Sequence, residues 1–237
     1  MRQVPHYLLI GNGRVARHFQ YYFSLLKLNF SCWHRGQALA QLQAAISEAT
    51  HILLLISDAA IEAFAAEHLQ QTSAICIHFS GSHISERVYG AHPLMTFNEL
   101  QYDLARYQSV PFIVDHDAPH YSDLLPGLPN HHVRIAKSLK PKYHAYCVLA
   151  GNFSCLLWQK LFHSFEQELQ IPIEMAHPFL QQVTENLCTA PQTALTGPLT
   201  RNDHVTIEKN MAALADDPFQ DVYASFVTAF SKQRKIK

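Results

Sequence analysis

The amino-acid sequence predicts an α/β fold, in which a doubly wound parallel sheet is followed by a smaller all-helical domain. Two observations support this prediction. Short apolar runs alternate with helix-compatible segments four times in the first part of the chain, which is the pattern of successive strand–helix–strand units. From residue 142 the composition becomes helical, and no second series of this kind follows. We therefore predict one domain over residues 1–138 and a helical domain over residues 139–237.

The first predicted strand and helix are joined by a glycine-rich turn. The apolar run of residues 7–10 leads into G-N-G-R-V-A, and residues 13–27 have the spacing of a helix. A G-x-G-x-x-A turn in this context is the dinucleotide-binding fingerprint, because the glycines permit a tight turn and the close approach of a pyrophosphate. A glycine turn without a ligand is the alternative. The strand–turn–helix order favours nucleotide binding, and the residues assigned to it are Gly11, Asn12, Gly13, Arg14 and Val15.

The end of the second predicted strand, residues 29–33, bears on the choice of nucleotide. An Asp or Glu at this point would accept a hydrogen bond from the ribose 2′-hydroxyl of NAD. The sequence has His34 and Arg35 instead, and the planar fork of an arginine suits a 2′-phosphate. We therefore predict NADP as the cofactor, bound in part by His34 and Arg35. An ordinary surface charge at Arg35 is the alternative.

Two further predicted strands, residues 51–56 and 74–79, each end in polar residues, and the carboxyl ends of parallel strands line the nucleotide crevice. Ser57 and Asp58 can cap the next helix, face the cofactor, or do both. Ser80 and Gly81 can offer backbone N–H groups to a cofactor amide or a substrate carboxylate, although a plain turn is the alternative. We assign Ser57, Asp58 and Ser80 to the cofactor and Gly81 to the substrate.

The remaining elements follow a weaker pattern. Residues 91–97 have no clear period, and strands are predicted at residues 110–115 and 132–135 with a helix at 119–125 between them. The other predicted helices cover residues 37–49, 59–68, 142–169, 178–188, 206–215 and 218–232.

Composition excludes several classes of function. The net charge of −1 gives no basic excess for nucleic acid, and the apolar run of residues 52–56 is too short to span a membrane. Because residues 1–5 lead directly into the first strand, we expect no signal peptide. The five cysteines are odd in number without C-x-x-C spacing, which indicates reduced thiols in a cytoplasmic protein. The sixteen histidines lack metal-ligand spacing, so we predict no metal site.

Several separated stretches carry a resemblance to a known family. They are the G-N-G-R-V-A turn, H-F-S-G from His78, H-P-L-M-T-F from His92, P-F-I-V from Pro111, Y-H-A from Tyr143 with Asn152, and A-L-T-G-P from Ala194 with Arg201 and Asp203. The chain resembles bacterial Rossmann-like proteins with a helical C-terminal domain of unknown function. That family is similar to ketopantoate reductase, pyrroline-carboxylate reductase and 6-phosphogluconate dehydrogenase-type NADP oxidoreductases. The resemblance implies NADP binding, descent from a reductase, a small-molecule substrate and a homodimer formed through the helical domain.

The sequence departs from these relatives at the expected catalytic helix. Many hydroxyacid dehydrogenases of the wider group have a lysine four residues before an asparagine, whereas Val148 holds that position relative to Asn152. His144 lies two turns before Asn152, so both can share a helix face. Imidazole can exchange protons near neutral pH, which makes His144 a candidate general acid, and a hydrogen-bonded structural histidine is the alternative. His92, which precedes Pro93 on a predicted loop, is a candidate catalytic residue or a residue that fixes a turn.

The motif Thr196-Gly197-Pro198 with Arg201 and Asp203 can bind an anionic substrate through Thr196 and Arg201, or lock the helical domain through a salt bridge. Two function classes remain open. One is an NADP-dependent oxidoreductase that transfers hydride to or from a small carbonyl or imine compound in an interdomain cleft. The other is a non-catalytic NADP-binding sensor or scaffold. The absence of the lysine favours the second class, and the grouping of His144, Asn152 and His92 favours the first.

Overall fold

The computed structural model of the chain describes residues 4–235. Its centre is a sheet of seven strands, ordered β2-β1-β3-β4-β5-β6-β7. The strands are β1 (Tyr7–Ile10), β2 (Phe30–Trp33), β3 (His51–Leu54), β4 (Ile75–His78), β5 (Tyr89–Pro93), β6 (Phe112–Asp115) and β7 (His132–Ile135). The reversal of strand order at β1, with β2 on one side and β3 on the other, confirms the doubly wound fold.

One pair of strands departs from the predicted parallel arrangement. Strands β5 and β6 pair antiparallel, while every other neighbouring pair is parallel. The segment between β5 and β6 does not cross back to the amino end of the sheet, so β6 starts at the edge where β5 ends. The carboxyl edge of strands β1 to β5 is therefore also the edge at which β6 begins.

Helices alternate with the strands and then continue alone. In the first part of the chain they are α1 (Arg14–Leu25), α2 (Leu39–Glu48), α3 (Asp58–His68), α4 (Leu104–Ser109) and α5 (Tyr121–Leu124). A 3-10 turn (Lys137–Leu139) then leads into α6 (Lys140–Cys147), a π-helical turn (Val148–Asn152) and α7 (Phe153–Gln167). A second 3-10 turn (Ile173–Ala176) precedes α8 (His177–Thr189), α9 (Pro198–Arg201), α10 (His204–Ala213) and α11 (Phe219–Lys235).

The side chains of the central strands divide between two apolar cores, one on each face of the sheet. On β1, Tyr7 and Leu9 pack into one core and Leu8 and Ile10 into the other. Successive side chains of a strand point to opposite faces, so a continuous apolar run buried on both sides is typical of a central parallel strand. The first core contains the apolar side of α1, including Phe19, and the second contains residues of α2 and α3.

The described chain divides into two compact units, one ending at Leu156 and one beginning at Leu157. The first contains the sheet, and the second is all-helical. The domain boundary predicted between residues 138 and 139 falls within the 3-10 turn that precedes α6, and it stays a prediction.

Several local predictions are corrected. The sequence indicates no regular element over residues 91–97, but the first three of them complete strand β5. The strand pattern is obscured because β5 is short and contains Gly90, His92 and Pro93. Helix α4 and the short helix α9 are additional to the predicted elements, and the helix predicted over residues 142–169 contains the π-helical turn. Within residues 4–235, no helix is both long enough and apolar enough to span a membrane.

Candidate functional site

A groove of about 1160 Å³ follows the carboxyl edge of the sheet in the first unit. It exceeds the roughly 300–1,000 Å³ of typical small-molecule sites, as an extended ligand such as a dinucleotide requires. The predicted cofactor residues all line it, namely Gly11, Asn12, Gly13, Arg14, Val15, His34, Arg35, Ser57, Asp58 and Ser80. His92, a predicted catalytic residue, also lines the groove, together with apolar side chains that include Met95 and Phe97.

The two glycines of the fingerprint serve different purposes. Gly11 is buried with φ of +135°, and a Cβ there would lie 2.2 Å from the Leu55 carbonyl oxygen. Only glycine therefore fits at this point of the turn. Gly13 has an ordinary φ of −77° at the start of α1, and no heavy atom lies within 4 Å of the position of a Cβ. The space beside Gly13 is thus open at the helix N-terminus, where the free N–H groups and the helix dipole favour a phosphate.

The two residues predicted to read the 2′-phosphate differ in their contacts. Nδ1 of the His34 ring accepts a hydrogen bond from the backbone N–H of Gly36 at 3.2 Å. The backbone N–H of His34 donates to Gln37 Oε1 at 2.9 Å. Arg35 is exposed, and its guanidinium forms no hydrogen bond or ion pair with any residue between 4 and 235. Arg35 is therefore free to pair with an anion, whereas the His34 imidazole already helps to shape the turn.

Arg14 is tied to the loop after β5. Its Nε lies 3.9 Å from Glu99 Oε1, and Arg17 Nη2 lies 3.2 Å from Glu99 Oε2. All three side chains are more than half exposed, so these ion pairs contribute little to stability. Their effect is to hold Glu99 beside the first turn of α1.

The ends of β3 and β4 are joined by a hydrogen bond between side chains. Ser80 Oγ donates to Asp58 Oδ2 at 2.5 Å and accepts from the His83 N–H at 3.0 Å. Ser57 occupies the cap position of α3, but its side chain forms no capping hydrogen bond, so the predicted capping role is wrong for Ser57. Asp58 lies instead in the first turn of α3, where a negative charge is favourable, and it fixes the turn that contains Ser80.

His92, Tyr143 and His144 form a cluster, in which His92 lines the groove. His92 lies on β5 and not on a loop, which corrects the prediction. Its Nδ1 is 2.7 Å from the Tyr143 hydroxyl, and its ring centroid is 5.9 Å from that of His144 with the rings nearly perpendicular. A Cβ on Gly81 would lie 2.4 Å from His144 Cδ2 and 3.1 Å from His92 Nε2. Gly81 is thus the contact between the β4 turn and both imidazoles.

The surroundings of His92 and Tyr143 set the protonation state of each of these hydrogen-bonding partners. Burial, with smaller contributions from His144 and Lys140, lowers the pKa of His92 to about 4. Burial raises the pKa of the Tyr143 hydroxyl above its ordinary value. Near neutral pH the tyrosine is therefore protonated and the imidazole is neutral, and which of the two donates depends on the tautomer of His92. In the tautomer whose Nδ1 accepts from the Tyr143 hydroxyl, the other ring nitrogen, Nε2, carries the proton.

His78 lies on β4 and has no exposed surface. Its Nδ1 accepts a hydrogen bond from the Ser80 N–H at 3.2 Å, and its ring meets the His83 ring edge-on. Burial, followed by the charge of Lys140, lowers its pKa to about 3, so His78 is neutral at physiological pH.

Asn152 lies at the end of the π-helical turn and is exposed. On a regular α-helix, residues eight apart differ by about 80° around the axis. One extra residue in a π-helical turn reduces this difference to about 20°. The turn therefore improves the alignment of Asn152 with His144, and a shared catalytic role for the two stays a prediction.

The Thr196 motif builds a connection between two helices of the second unit. Gly197 has φ of +91°, Pro198 begins α9, and Asp203 caps α10 by accepting from the Thr206 N–H at 3.0 Å. Within residues 4–235, Arg201 and Asp203 form no ion pair closer than 4.0 Å, so the proposed salt-bridge lock is absent from the described structure. Thr196 and Arg201 are both exposed, and their roles toward a substrate stay predictions.

Sequence reasoning did not identify Tyr143, Lys140 and Asp115 as site residues. Tyr143 precedes His144 in a stretch already recognised as characteristic, so that neighbour was the available signal. Lys140 and Asp115 form a buried ion pair across 25 residues of sequence, with 2.9 Å between Nζ and Oδ1. No local pattern marks such a pair. In the described residues, no group of three or more His, Cys, Asp and Glu is arranged to hold a metal ion.

Comparisons with known proteins agree with this geometry. A family model described as a domain of unknown function (DUF2520) matches residues 114–229. The chain is similar to a solved structure described as a candidate NADP oxidoreductase from Bacteroides fragilis, with 18% identity over 96% of this chain and 98% of that chain and a TM-score of 0.76. Comparison with curated proteins gives no match.

Two enzymes whose solved structures contain a nicotinamide cofactor have the same fold. An imine reductase from Myxococcus stipitatus in complex with NADP⁺ has 12% identity over 98% of this chain and 95% of that chain, with a TM-score of 0.63. A reductive aminase from Aspergillus terreus in complex with NADPH and ethyl levulinate has 14% identity over 98% and 94% of the two chains, with a TM-score of 0.64. The shared fold is a Rossmann-type sheet followed by a helical part.

Proposed function

We propose that the protein is an NADP-dependent oxidoreductase that transfers hydride to or from a small carbonyl or imine compound. The observation that carries this proposal is the groove along the carboxyl edge of the sheet. It runs from the open space beside Gly13 to the neutral imidazole of His92. The fold-level similarity to structures containing NADP⁺ and NADPH supports the same cofactor.

The residues of the groove fit an NADP molecule in chemical type. The N–H groups at the start of α1, beside Gly11, Asn12 and Gly13, suit the pyrophosphate. Arg35 offers a free guanidinium to the 2′-phosphate, with His34 beside it. Val15, Ser57, Asp58 and Ser80 also line the groove.

The cluster at the end of the groove supplies the groups that act on the substrate. Bound NADPH supplies the hydride. The Nε2–H of neutral His92 donates a hydrogen bond to the substrate oxygen or nitrogen, as a neutral imidazole can when its other nitrogen accepts. His144 supplies the proton, and Asn152 orients the substrate by hydrogen bonding. Gly81 leaves room for both imidazoles, and Thr196 and Arg201 bind a substrate that carries a negative charge.

The predicted cleft between the domains, the homodimer through the helical domain and the cytoplasmic location belong to this proposal. Sedimentation of the purified protein tests the homodimer. A monomer at all concentrations contradicts that part and leaves the cofactor assignment unaffected.

The reaction is tested with small keto acids, aldehydes and cyclic imines while NADPH absorbance is followed. Once a substrate is found, His144→Ala lowers the rate of NADPH oxidation roughly 10²–10⁴-fold, because general acid catalysis contributes about that factor. The dissociation constant of NADPH is unchanged in this variant. The exposed His163 provides the matched control, since His163→Ala retains the full rate. Turnover by His144→Ala at the unmutated rate would show that His144 is not the proton donor.

One observation favours the alternative of a non-catalytic NADP-binding sensor or scaffold. Val148 stands where many relatives have their catalytic lysine. Tight NADPH binding together with no turnover across the whole substrate screen selects this alternative.

A further inference from the structure

Lys140 and Asp115 form an ion pair that is almost completely shielded from solvent. The Lys140 side chain is 3% exposed and that of Asp115 is 1% exposed, with 2.9 Å between Nζ and Oδ1. The second carboxylate oxygen, Oδ2, accepts a hydrogen bond from the Gly90 N–H at 2.7 Å. The pair therefore joins three elements, since Lys140 begins α6, Asp115 ends β6 and Gly90 lies within β5.

The backbone of β5 is shaped to admit this pair. A Cβ on Gly90 would lie 2.2 Å from Lys140 Nζ and 2.8 Å from Asp115 Oδ1. Any other residue at this position would displace the ammonium or the carboxylate. The ion pair therefore requires glycine at position 90.

Strand β5 and helix α6 also contact each other at the candidate catalytic cluster. Gly90 and His92 are two residues apart on β5, so their side-chain positions face the same side of the sheet. Lys140 is three residues before Tyr143 and four before His144, which places all three on one face of α6. The contact of Gly90 with Lys140 and the contact of His92 with Tyr143 thus lie side by side along one strand–helix interface.

A buried ion pair is a poor means of stabilising a fold. The desolvation of two charges commonly cancels their attraction, and well-packed apolar side chains of the same volume serve stability as well or better. What such a pair can provide is a fixed position, because a charge moved out of line leaves its partner buried and uncompensated. The position fixed here is that of the helix that carries Tyr143 and His144.

We propose that Lys140 and Asp115 are positioning residues, whose buried ion pair sets α6 on β5 so that the Tyr143 hydroxyl meets His92 Nδ1 and His92 presents its Nε2–H. This inference rests on the proposed function for its catalytic consequence. The hydrogen bond and the tautomer of His92 are properties of the free protein, so they can be examined without a substrate.

The charged groups around His92 give the pair a second effect. From α6, His144 and Lys140 face His92 and lower its pKa, and from α3 Asp58 raises it by a smaller amount. Tyr143, also on α6, is the hydrogen-bond partner of His92 Nδ1. Burial lowers the pKa of Lys140 itself, and the carboxylate of Asp115 counteracts this shift. The Lys140 ammonium therefore helps to keep His92 neutral. Removal of the cation raises the pKa of His92.

The test uses the double variant Lys140→Met/Asp115→Asn in the full chain. The two changes remove both charges together, and the asparagine keeps an oxygen for the Gly90 N–H. The imidazole signals of His92 are followed by ¹⁵N and ¹³C NMR across a pH titration, alongside the melting temperature and the dissociation constant of NADPH. We expect a folded variant that binds NADPH as before, in which His92 titrates at higher pH and no longer holds a single tautomer.

The catalytic consequence is measured on a substrate found in the screen. A misplaced acid–base group costs on the order of 10²-fold in kcat, and KM is expected to change little. The matched control is Lys137→Met/Asp117→Asn, which removes a neighbouring ion pair of 2.8 Å that is more accessible to solvent. This control leaves the His92 titration and tautomer unchanged.

An unchanged His92 titration and tautomer in the folded double variant overturns the proposal. If the double variant does not fold, the same NMR measurement is made on Asp115→Asn alone, and an unchanged titration and tautomer there overturns the proposal equally. If the unmutated protein turns over no substrate, the proposed function fails. A shift of the His92 signals in the variant still supports the positioning role in that case.

Discussion

His34 and Arg35 are adjacent at the end of β2, but their side chains differ in their hydrogen-bond partners. The imidazole of His34 accepts from the Gly36 N–H, whereas the guanidinium of Arg35 has no partner among residues 4–235. A free, exposed cation at the rim of the groove can form a charge-assisted hydrogen bond with a phosphate. We therefore propose that a preference for NADP over NAD depends on this single residue, Arg35.

Arg35→Ala weakens NADPH binding roughly 10–150-fold, the equivalent of losing a hydrogen bond to a charged group, and leaves NADH binding nearly unchanged. Fluorescence titration of both nucleotides measures the effect. Arg106, an exposed arginine of α4 that does not line the groove, supplies the control Arg106→Ala with unchanged affinities. Equal affinities of the unmutated protein for NADPH and NADH would remove the basis of this prediction.

The buried histidines make stability depend on pH. Burial lowers the pKa of His92 to about 4 and that of His78 to about 3, whereas in the unfolded chain both return to 6.5. Between these values the unfolded chain binds more protons than the folded protein, so the free energy of unfolding falls as the pH is lowered. The stabilisation is complete above about pH 6.5 and is lost toward pH 4, by up to about 1.4 kcal/mol per pH unit for each histidine.

Urea unfolding between about pH 7 and pH 5 measures this dependence. In that window the carboxylates are still ionised, so the slope reports on histidine. His78→Asn, which keeps an acceptor for the Ser80 N–H, is expected to reduce the slope. A free energy of unfolding that rises on acidification would contradict the assignment of neutral, buried imidazoles.

Strands that are buried on both faces are the elements most easily recognised in the sequence. Strands β1 and β3 are recognisable in the sequence because both of their faces are buried and every residue is apolar or, like His51, packed inside. Strand β5 escapes recognition because its pattern contains Gly90 and His92, which serve the ion pair and the groove. The π-helical turn is also beyond prediction, since one extra residue in a helix leaves the composition unchanged.

The turn after β4 and helix α6 depend on one small residue. A Cβ on Gly81 would lie 2.4 Å from His144 Cδ2 and 3.1 Å from His92. Gly81→Ala therefore displaces the imidazole of His144 from its place beside His92, lowers the melting temperature and reduces the rate of NADPH oxidation. Gly151→Ala is the control, because no heavy atom lies within 4 Å of a Cβ there and alanine favours a helix. The same activity and melting temperature for both variants would contradict the packing of the two imidazoles on Gly81.

In the whole molecule, site residues that lie in one short segment can be predicted from the sequence, whereas partners far apart along the chain cannot. The proposed cofactor side of the groove consists of short segments, each at the end of one strand, so a local pattern reveals it. The proposed catalytic side is assembled by the fold from β5, β6 and α6. His92 meets Tyr143 across 51 residues, and Lys140 meets Asp115 across 25. Such partners become visible only when the strands are placed in their observed order.

Binding of NADPH by the groove at the start of α1 is tested by titrating Gly13→Val with NADPH. The backbone at Gly13 is compatible with any residue, and the position of a Cβ is open space, so the variant keeps its fold and melting temperature. The added side chain occupies the place assigned to the pyrophosphate. We predict tight NADPH binding by the unmutated protein and none by the folded variant. An unchanged dissociation constant in Gly13→Val would show that the nucleotide does not bind there.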